Sequence, residues 1–151
     1  MLSGKDHETI ARILEGALEV DEGFVPALRT LEYVHGRARD YTALGKQLLV
    51  SSTRLTDVRA RIGALWSLAW LEEWRGDPKP EDVSTYLRIL ELDPTDPGAL
   101  EGVLRKLISP ARRGDVEARG SVIAAQRSLS ALSTDEGPQL AANTRTALLL
   151  L

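Results

Sequence analysis

The sequence predicts an all-α protein built from helix pairs. Two stretches, residues 18–28 (LEVDEGFVPAL) and 90–100 (LELDPTDPGAL), repeat one pattern 72 residues apart, and each reads as the end of one helix and the start of the next. Apolar residues recur at helical spacing, whereas alternating strand patterns are never long and Asn-Gly turns are absent. Such a repeat is typical of stacked helix pairs, because no single pair buries its apolar face alone.

Helix starts are marked by side chains that can cap free amide groups. Asp96 stands before Pro97, whose missing N–H costs nothing in a first helical turn. Thr56 and Asp57 precede Val58, the first residue of an apolar stripe, in the same way. We therefore expect helices to begin near residues 57 and 97.

Helix ends are marked by prolines. They lie in the segments 76–78 (Gly-Asp-Pro), 93–94 (Asp-Pro) and 109–110 (Ser-Pro), and the residue before a proline disfavours the helical conformation. The sequence thus predicts about eight helices, near residues 5–20, 25–38, 41–52, 57–75, 81–92, 97–108, 115–132 and 138–151. Short connections make sequential helices antiparallel neighbours, and the lack of a long crossover favours an open stack over a closed bundle.

Composition excludes several kinds of partner. The 151 residues include 19 basic and 22 acidic side chains that are interleaved, with a net charge of −3, so neither a nucleic-acid stripe nor a polybasic membrane patch is indicated. The longest apolar run, residues 147–151, is far too short to cross a bilayer. The absence of cysteine fits a reducing compartment. We expect one soluble, cytoplasmic domain over residues 1–151 that binds neither nucleic acid nor membrane.

Residue patterns for catalysis or metal binding are missing. His7 and His35 lie 28 positions apart and lack the spacing of a zinc site. Glu72 and Glu73 are adjacent, and consecutive helical residues point about 100° apart, so they do not form an acid–base pair across a substrate. The sequence predicts a protein that is not an enzyme and has no metal or other cofactor.

The three tryptophans form one stripe. Trp66, Trp70 and Trp74 stand at i, i+4 and i+8 of a predicted helix, to one side of its apolar stripe. Packing of a helix hairpin does not obviously require them, whereas tryptophan, tyrosine and arginine often anchor binding, because they bury a large area at small entropic cost. The alternative is that the stripe packs against a neighbouring helix.

The repeated joints resemble the junctions between tetratricopeptide repeats. Residues 90–94 (Leu-Glu-Leu-Asp-Pro), followed by Ala99 and Leu100, match that junction, and the opening joint departs from it with Glu22 in the usual place of proline. Further matches are the packing residues Leu65, Leu68 and Ala69, the turn at residues 76–77 and the aromatic Tyr86. The spacing exceeds two 34-residue units by about four residues, so the repeats are degenerate.

The resemblance covers residues 4–108 and implies an open right-handed solenoid of antiparallel helix hairpins with a concave groove. It implies a non-enzymatic module that binds a peptide or helical segment of a partner protein. The partner-binding residues that it implies, or that extend the same surface, are Arg29, Tyr33, Arg37, Trp66, Trp70, Trp74, Glu101 and Arg105. The family's carboxylate clamp of lysine, asparagine and arginine is not intact, because its places hold Arg29, Tyr33, Ser67, Gly98 and Gly102.

Two alternatives stay open. The chain could instead be a spacer or self-association element of a larger protein, with the tryptophans serving only as packing. Residues 147–151 (Ala-Leu-Leu-Leu-Leu) end the chain without a cap or a polar closing face, whereas terminal repeats normally need polar outer surfaces. We therefore expect either that the natural protein continues beyond Leu151, as in a longer array, or that the chain forms homo-oligomers through this end.

Overall fold

A computed structural model describes residues 4–75 and 82–132, which form seven α-helices and no strand. The helices are α1 (Gly4–Val20), α2 (Val25–Ala38), α3 (Tyr41–Arg54), α4 (Val58–Trp74), α5 (Ser84–Leu92), α6 (Pro97–Arg112) and α7 (Val116–Leu132). The all-α prediction is confirmed. The helix predicted at residues 138–151, the C-terminal leucines and the turn predicted at residues 76–78 lie outside the described residues.

The sequence predicts a single domain, and the structure groups the chain into two compact units, residues 1–76 and 77–151. The first unit contains α1–α4, which pack on one another in sequence. The second contains α5–α7, with α5 and α7 each packed on α6.

The first repeated joint connects α1 to α2. The backbone N–H of Asp21 donates to the carbonyl oxygen of Ala17 at 3.0 Å, and the N–H of Phe24 donates to the carbonyl of Asp21 at 3.1 Å. The Asp21 carboxylate accepts a hydrogen bond from the N–H of Gly23, also at 3.0 Å. These bonds end α1 and set the direction in which α2 begins.

The second joint, between α5 and α6, repeats this pattern. The N–H of Asp93 donates to the carbonyl of Ile89 at 2.8 Å, and the N–H of Asp96 donates to the carbonyl of Asp93 at 3.2 Å. The Asp93 carboxylate accepts from the N–H of Thr95 at 3.0 Å. Each partner lies 72 residues after its counterpart in the first joint, so the repeat in the sequence is also a repeat of backbone geometry.

Aspartates cap four of the helices. The carboxylates of Asp40, Asp57, Asp96 and Asp115 each accept from the backbone N–H three residues on, at 2.9 Å. Each such bond satisfies an amide that has no partner within its helix. The starts predicted from Asp57 and Asp96 are confirmed.

The core of the first unit lies along both faces of α3. One cluster joins α1, α2 and the end of α3, and a second joins α3 to α4. The first consists of Leu18, Ala27, Leu28, Leu31 and Leu55, and the second of Leu48, Leu68 and Leu71. In the predicted stripe of α4, Leu65, Leu68 and Ala69 are buried, whereas Val58 is exposed because it opens the helix.

Close packing in the second unit depends on a glycine. The ring of Tyr86 on α5 lies so near Gly102 on α6 that a Cβ at that position would come within 2.5 Å of it. Tyr86 is buried, and Arg105 donates a hydrogen bond to its hydroxyl oxygen at 3.0 Å. The absence of a side chain at Gly102 therefore allows α5 and α6 to pack closely.

One predicted helix end is wrong. α6 continues through Pro110 for two more residues, although Pro110 has no N–H to donate to the carbonyl of Lys106. Pro110 and Ala111 are both buried in this last turn, and that burial outweighs the single lost hydrogen bond. The helix instead ends before Gly114, whose φ of 96° is the left-handed conformation that favours glycine, with a bond of 3.2 Å from the Asp115 N–H back to the Pro110 carbonyl.

Candidate functional site

Three helices of the first unit form a groove. α3 runs antiparallel to α4, because Trp74 contacts Tyr41 at one end and Arg61 donates to the carbonyl of Ser52 at the other. α2 is joined to α3 by a two-residue connection and packs against it. α2 and α4 therefore both pack on α3, and side chains of all three helices line one groove.

The groove is open to solvent and has a volume of about 650 Å³, within the usual size of a ligand pocket. One wall comes from α2, the floor from two leucines of α3 and the other wall from α4. The lining residues are Arg29, Glu32 and Tyr33 on α2, Leu44 and Leu48 on α3, and Trp66, Ser67, Trp70 and Leu71 on α4. Aromatic and aliphatic side chains thus dominate the surface, with an arginine and a glutamate at one side.

Two tryptophans of α4 remain exposed in the folded unit. Trp70 is 66% exposed and Trp74 57%, whereas Trp66 is half-buried. The rings of Trp70 and Trp74 are nearly parallel, at 8°, with centroids 6.0 Å apart. Tyr41 meets Trp74 edge-on, at 74° and 5.1 Å between centroids. The three residues Tyr41, Trp70 and Trp74 form an aromatic shelf that continues the α4 wall of the groove.

The charged groups of the groove are fixed by one another. The hydroxyl of Ser51, which is fully buried, donates to Oε1 of Glu32 at 2.6 Å. Nη1 of Arg29 donates to Oε2 of the same glutamate at 2.9 Å. Both oxygens of Glu32 are therefore engaged, and the Arg29 side chain, 43% exposed, is held at the mouth of the groove.

A second, smaller groove lies in the second unit. It has a volume of about 350 Å³ and lies between α6 and α7. Glu101, Leu104, Arg105 and Ile108 line it from α6, and Val122, Gln126 and Leu129 line it from α7. The place of Arg105 there is set by its hydrogen bond to the Tyr86 hydroxyl.

The structure divides the site residues that the sequence predicts. It brings Arg29, Tyr33, Trp66 and Trp70 together around the first groove, and Trp74 extends that wall. Arg37 is exposed one helical turn beyond Tyr33 and does not line the groove. The remaining two, Glu101 and Arg105, line the second groove.

Sequence reasoning missed the groove floor and one charged partner. Leu44 and Leu48 stand four residues apart on α3, a spacing that signals a buried stripe. Leu48 is buried and Leu44 is half-buried, and the spacing does not show that either residue borders a groove. Glu32 is three residues from Arg29, the spacing of an ion pair on a helix, and this signal could have identified it.

The described residues offer no group of three or more His, Cys, Asp or Glu side chains that could hold a metal ion. Among the described helices, none combines the length and the apolarity that a bilayer crossing requires. Comparison of the chain with protein-family models, curated proteins and solved structures finds no match.

Proposed function

We propose that the chain is a non-enzymatic interaction module whose first unit binds a segment of a partner protein in the groove between α2 and α4. The observation that carries this proposal is the exposure of Trp70 beside an apolar groove, stacked on a second exposed tryptophan. Large aromatic side chains left open at a concave surface are typical of binding sites, where a few of them supply most of the binding energy.

A tetratricopeptide-like solenoid is the architecture that we propose for the whole chain. The matching hydrogen bonds of the two joints support it, because a repeated connection is what successive helix pairs need. The location in the cytoplasm and the absence of enzymatic activity stay predictions.

A capture experiment with paired variants tests the proposal. The proteins retained by the immobilised wild-type chain are compared with those retained by a Trp66→Ala, Trp70→Ala double variant and by Phe24→Ala, the matched control. Phe24 is an exposed aromatic residue outside the groove, and its side chain makes no cap hydrogen bond. Helix content of all three proteins is checked by circular dichroism.

We expect specific proteins to be retained by the wild type and by Phe24→Ala but lost from the double variant. Crosslinks from such a protein should map to α2 and α4. If the same proteins bind all three chains equally, the groove is not the binding site. The spacer alternative predicts that no retained protein depends on Trp66 and Trp70, because in that alternative the tryptophans serve only as packing.

A further inference from the structure

The polar groups of the first groove favour a ligand that accepts hydrogen bonds. Both oxygens of Glu32 are already engaged, by Ser51 and by Arg29. Arg29 uses only one of its five N–H donors on Glu32, and among the described residues it has no second acceptor. Of the charged groups among the described residues that line the groove, it is therefore the Arg29 guanidinium that retains unused hydrogen-bonding capacity, and a carboxylate accepts strong, charge-assisted hydrogen bonds from such a group.

The part of the chain that forms the groove carries a net positive charge. Residues 25–75, which include all three helices of the groove, carry eight basic and five acidic residues, although the whole chain has a net charge of −3. The basic excess thus lies in the part of the chain that forms the groove. Charge complementarity favours an acidic partner, since it raises the rate of encounter and disfavours basic competitors.

The walls of the groove carry side chains at helical spacing. Tyr33 lies one turn after Arg29 on α2, and Trp70 lies one turn after Trp66 on α4, so side chains follow each wall at a rise of about 6 Å. Rows of side chains at this spacing are the ridges between which a further helix packs. The described residues contain no strand, so they offer no sheet edge to which an extended peptide could add.

From these observations we infer that the groove binds an acidic amphipathic α-helix of a partner protein. The apolar face of that helix lies between Tyr33 and Trp70, over Leu44 and Leu48. An aspartate or glutamate on its flank accepts hydrogen bonds from Arg29. This inference rests on the proposed function, because it specifies the occupant of the same groove.

Selection from a random peptide library tests the inference without a known partner. The probe is a displayed library of peptides about 16 residues long, enough for about four helical turns. It is selected in parallel on the wild-type chain and on the Trp66→Ala, Trp70→Ala variant. We expect the wild type to enrich peptides with apolar residues at i, i+3, i+4 and i+7 and with acidic residues beside them.

The outcomes separate the two proposals. Enrichment of basic peptides, or of proline-rich extended ones, would overturn the acidic helix and leave the groove as a protein-binding site. If the wild type enriches nothing beyond the double variant, the proposed function itself fails, and the inference fails with it.

Charge variants then test the contact with Arg29. The affinity of an enriched peptide, measured by fluorescence anisotropy, should fall about tenfold or more in Arg29→Glu and less in Arg29→Gln. Arg59→Glu is the matched control, because Arg59 is an exposed arginine of α4 that does not line the groove. Thermal melts establish that each variant folds, and Arg29→Gln keeps the test valid if Arg29→Glu does not. Equal affinity of the wild type and Arg29→Gln would show that Arg29 does not receive the carboxylate.

Discussion

Replacing Gly102 by alanine should destabilise the second unit, although alanine is the better helix former. In the middle of α6 the exchange would gain about 1 kcal/mol from helix propensity alone. The new Cβ, however, would lie 2.5 to 2.7 Å from three ring atoms of Tyr86, well inside van der Waals contact. Tyr86 is only 3% exposed, so its ring cannot swing away without losing that burial.

The steric cost decides whether Gly102→Ala raises or lowers the free energy of unfolding. Overpacking of a core costs about 1–3 kcal/mol, and three short contacts place this site toward the upper end of that range. After subtraction of the propensity gain, we expect Gly102→Ala to lower the free energy of unfolding by about 1–2 kcal/mol. Urea denaturation followed by far-UV circular dichroism measures this quantity.

A matched glycine supplies the control. Gly120 lies inside α7 of the same unit, and a Cβ there meets no atom within 4 Å. Gly120→Ala should therefore stabilise the protein by up to about 1 kcal/mol. The double variant Gly102→Ala, Tyr86→Leu should lose less free energy of unfolding than the sum of the two single variants, because it lacks the Tyr86 ring with which the new Cβ would clash. If Gly102→Ala stabilises the unit as much as Gly120→Ala does, the described contact with Tyr86 is wrong.

Three further predictions concern single residues. Trp70→Ala should cost about 1–2 kcal/mol of stability, because most of the ring is already exposed, whereas Leu65→Ala in the core should cost about 2–5 kcal/mol; equal losses in urea melts would contradict an open groove. Asp96→Ala removes the cap of α6 and should cost about 1 kcal/mol, visible as a lower denaturation midpoint. Ser51→Ala deprives Glu32 of a buried donor and should cost about 1–3 kcal/mol by the same assay; no change would mean that the 2.6 Å contact contributes nothing.

The helices could be predicted from the sequence because their signals are local. Asp57 and Asp96 identify helix starts through a single side-chain bond, and the structure contains both bonds. The predicted end of α6 before Pro110 is wrong, because the burial of the helix beyond that residue is a tertiary effect, which a proline rule does not include. α5 begins at Ser84 rather than near residue 81, because the Asp82 carboxylate accepts from the N–H of Ser84 and holds a turn just before the helix.

The groove could be predicted only in part. The stripe containing Trp70 follows from helical spacing, and the place of Tyr33 is implied by the resemblance to tetratricopeptide repeats. Both residues line the groove. The position of a residue in the repeat does not determine which neighbours its side chain contacts. Glu101 occupies the repeat position equivalent to Arg29, but it lines a different groove with other neighbours. The leucine floor on α3 was missed, because a sequence pattern shows that residues are apolar but not which of them border a groove.

The parallel tryptophans of the aromatic shelf also give the protein an intrinsic optical reporter. Two indole rings 6.0 Å apart and nearly parallel are close enough for their electronic transitions to couple, so their circular dichroism depends on the geometry of the pair. Both rings border water, and an occupant of the adjoining groove would change their hydration and shift their fluorescence to shorter wavelength. Binding to the first unit can therefore be followed in unlabelled protein, and any partner free of tryptophan would leave this signal to the chain alone.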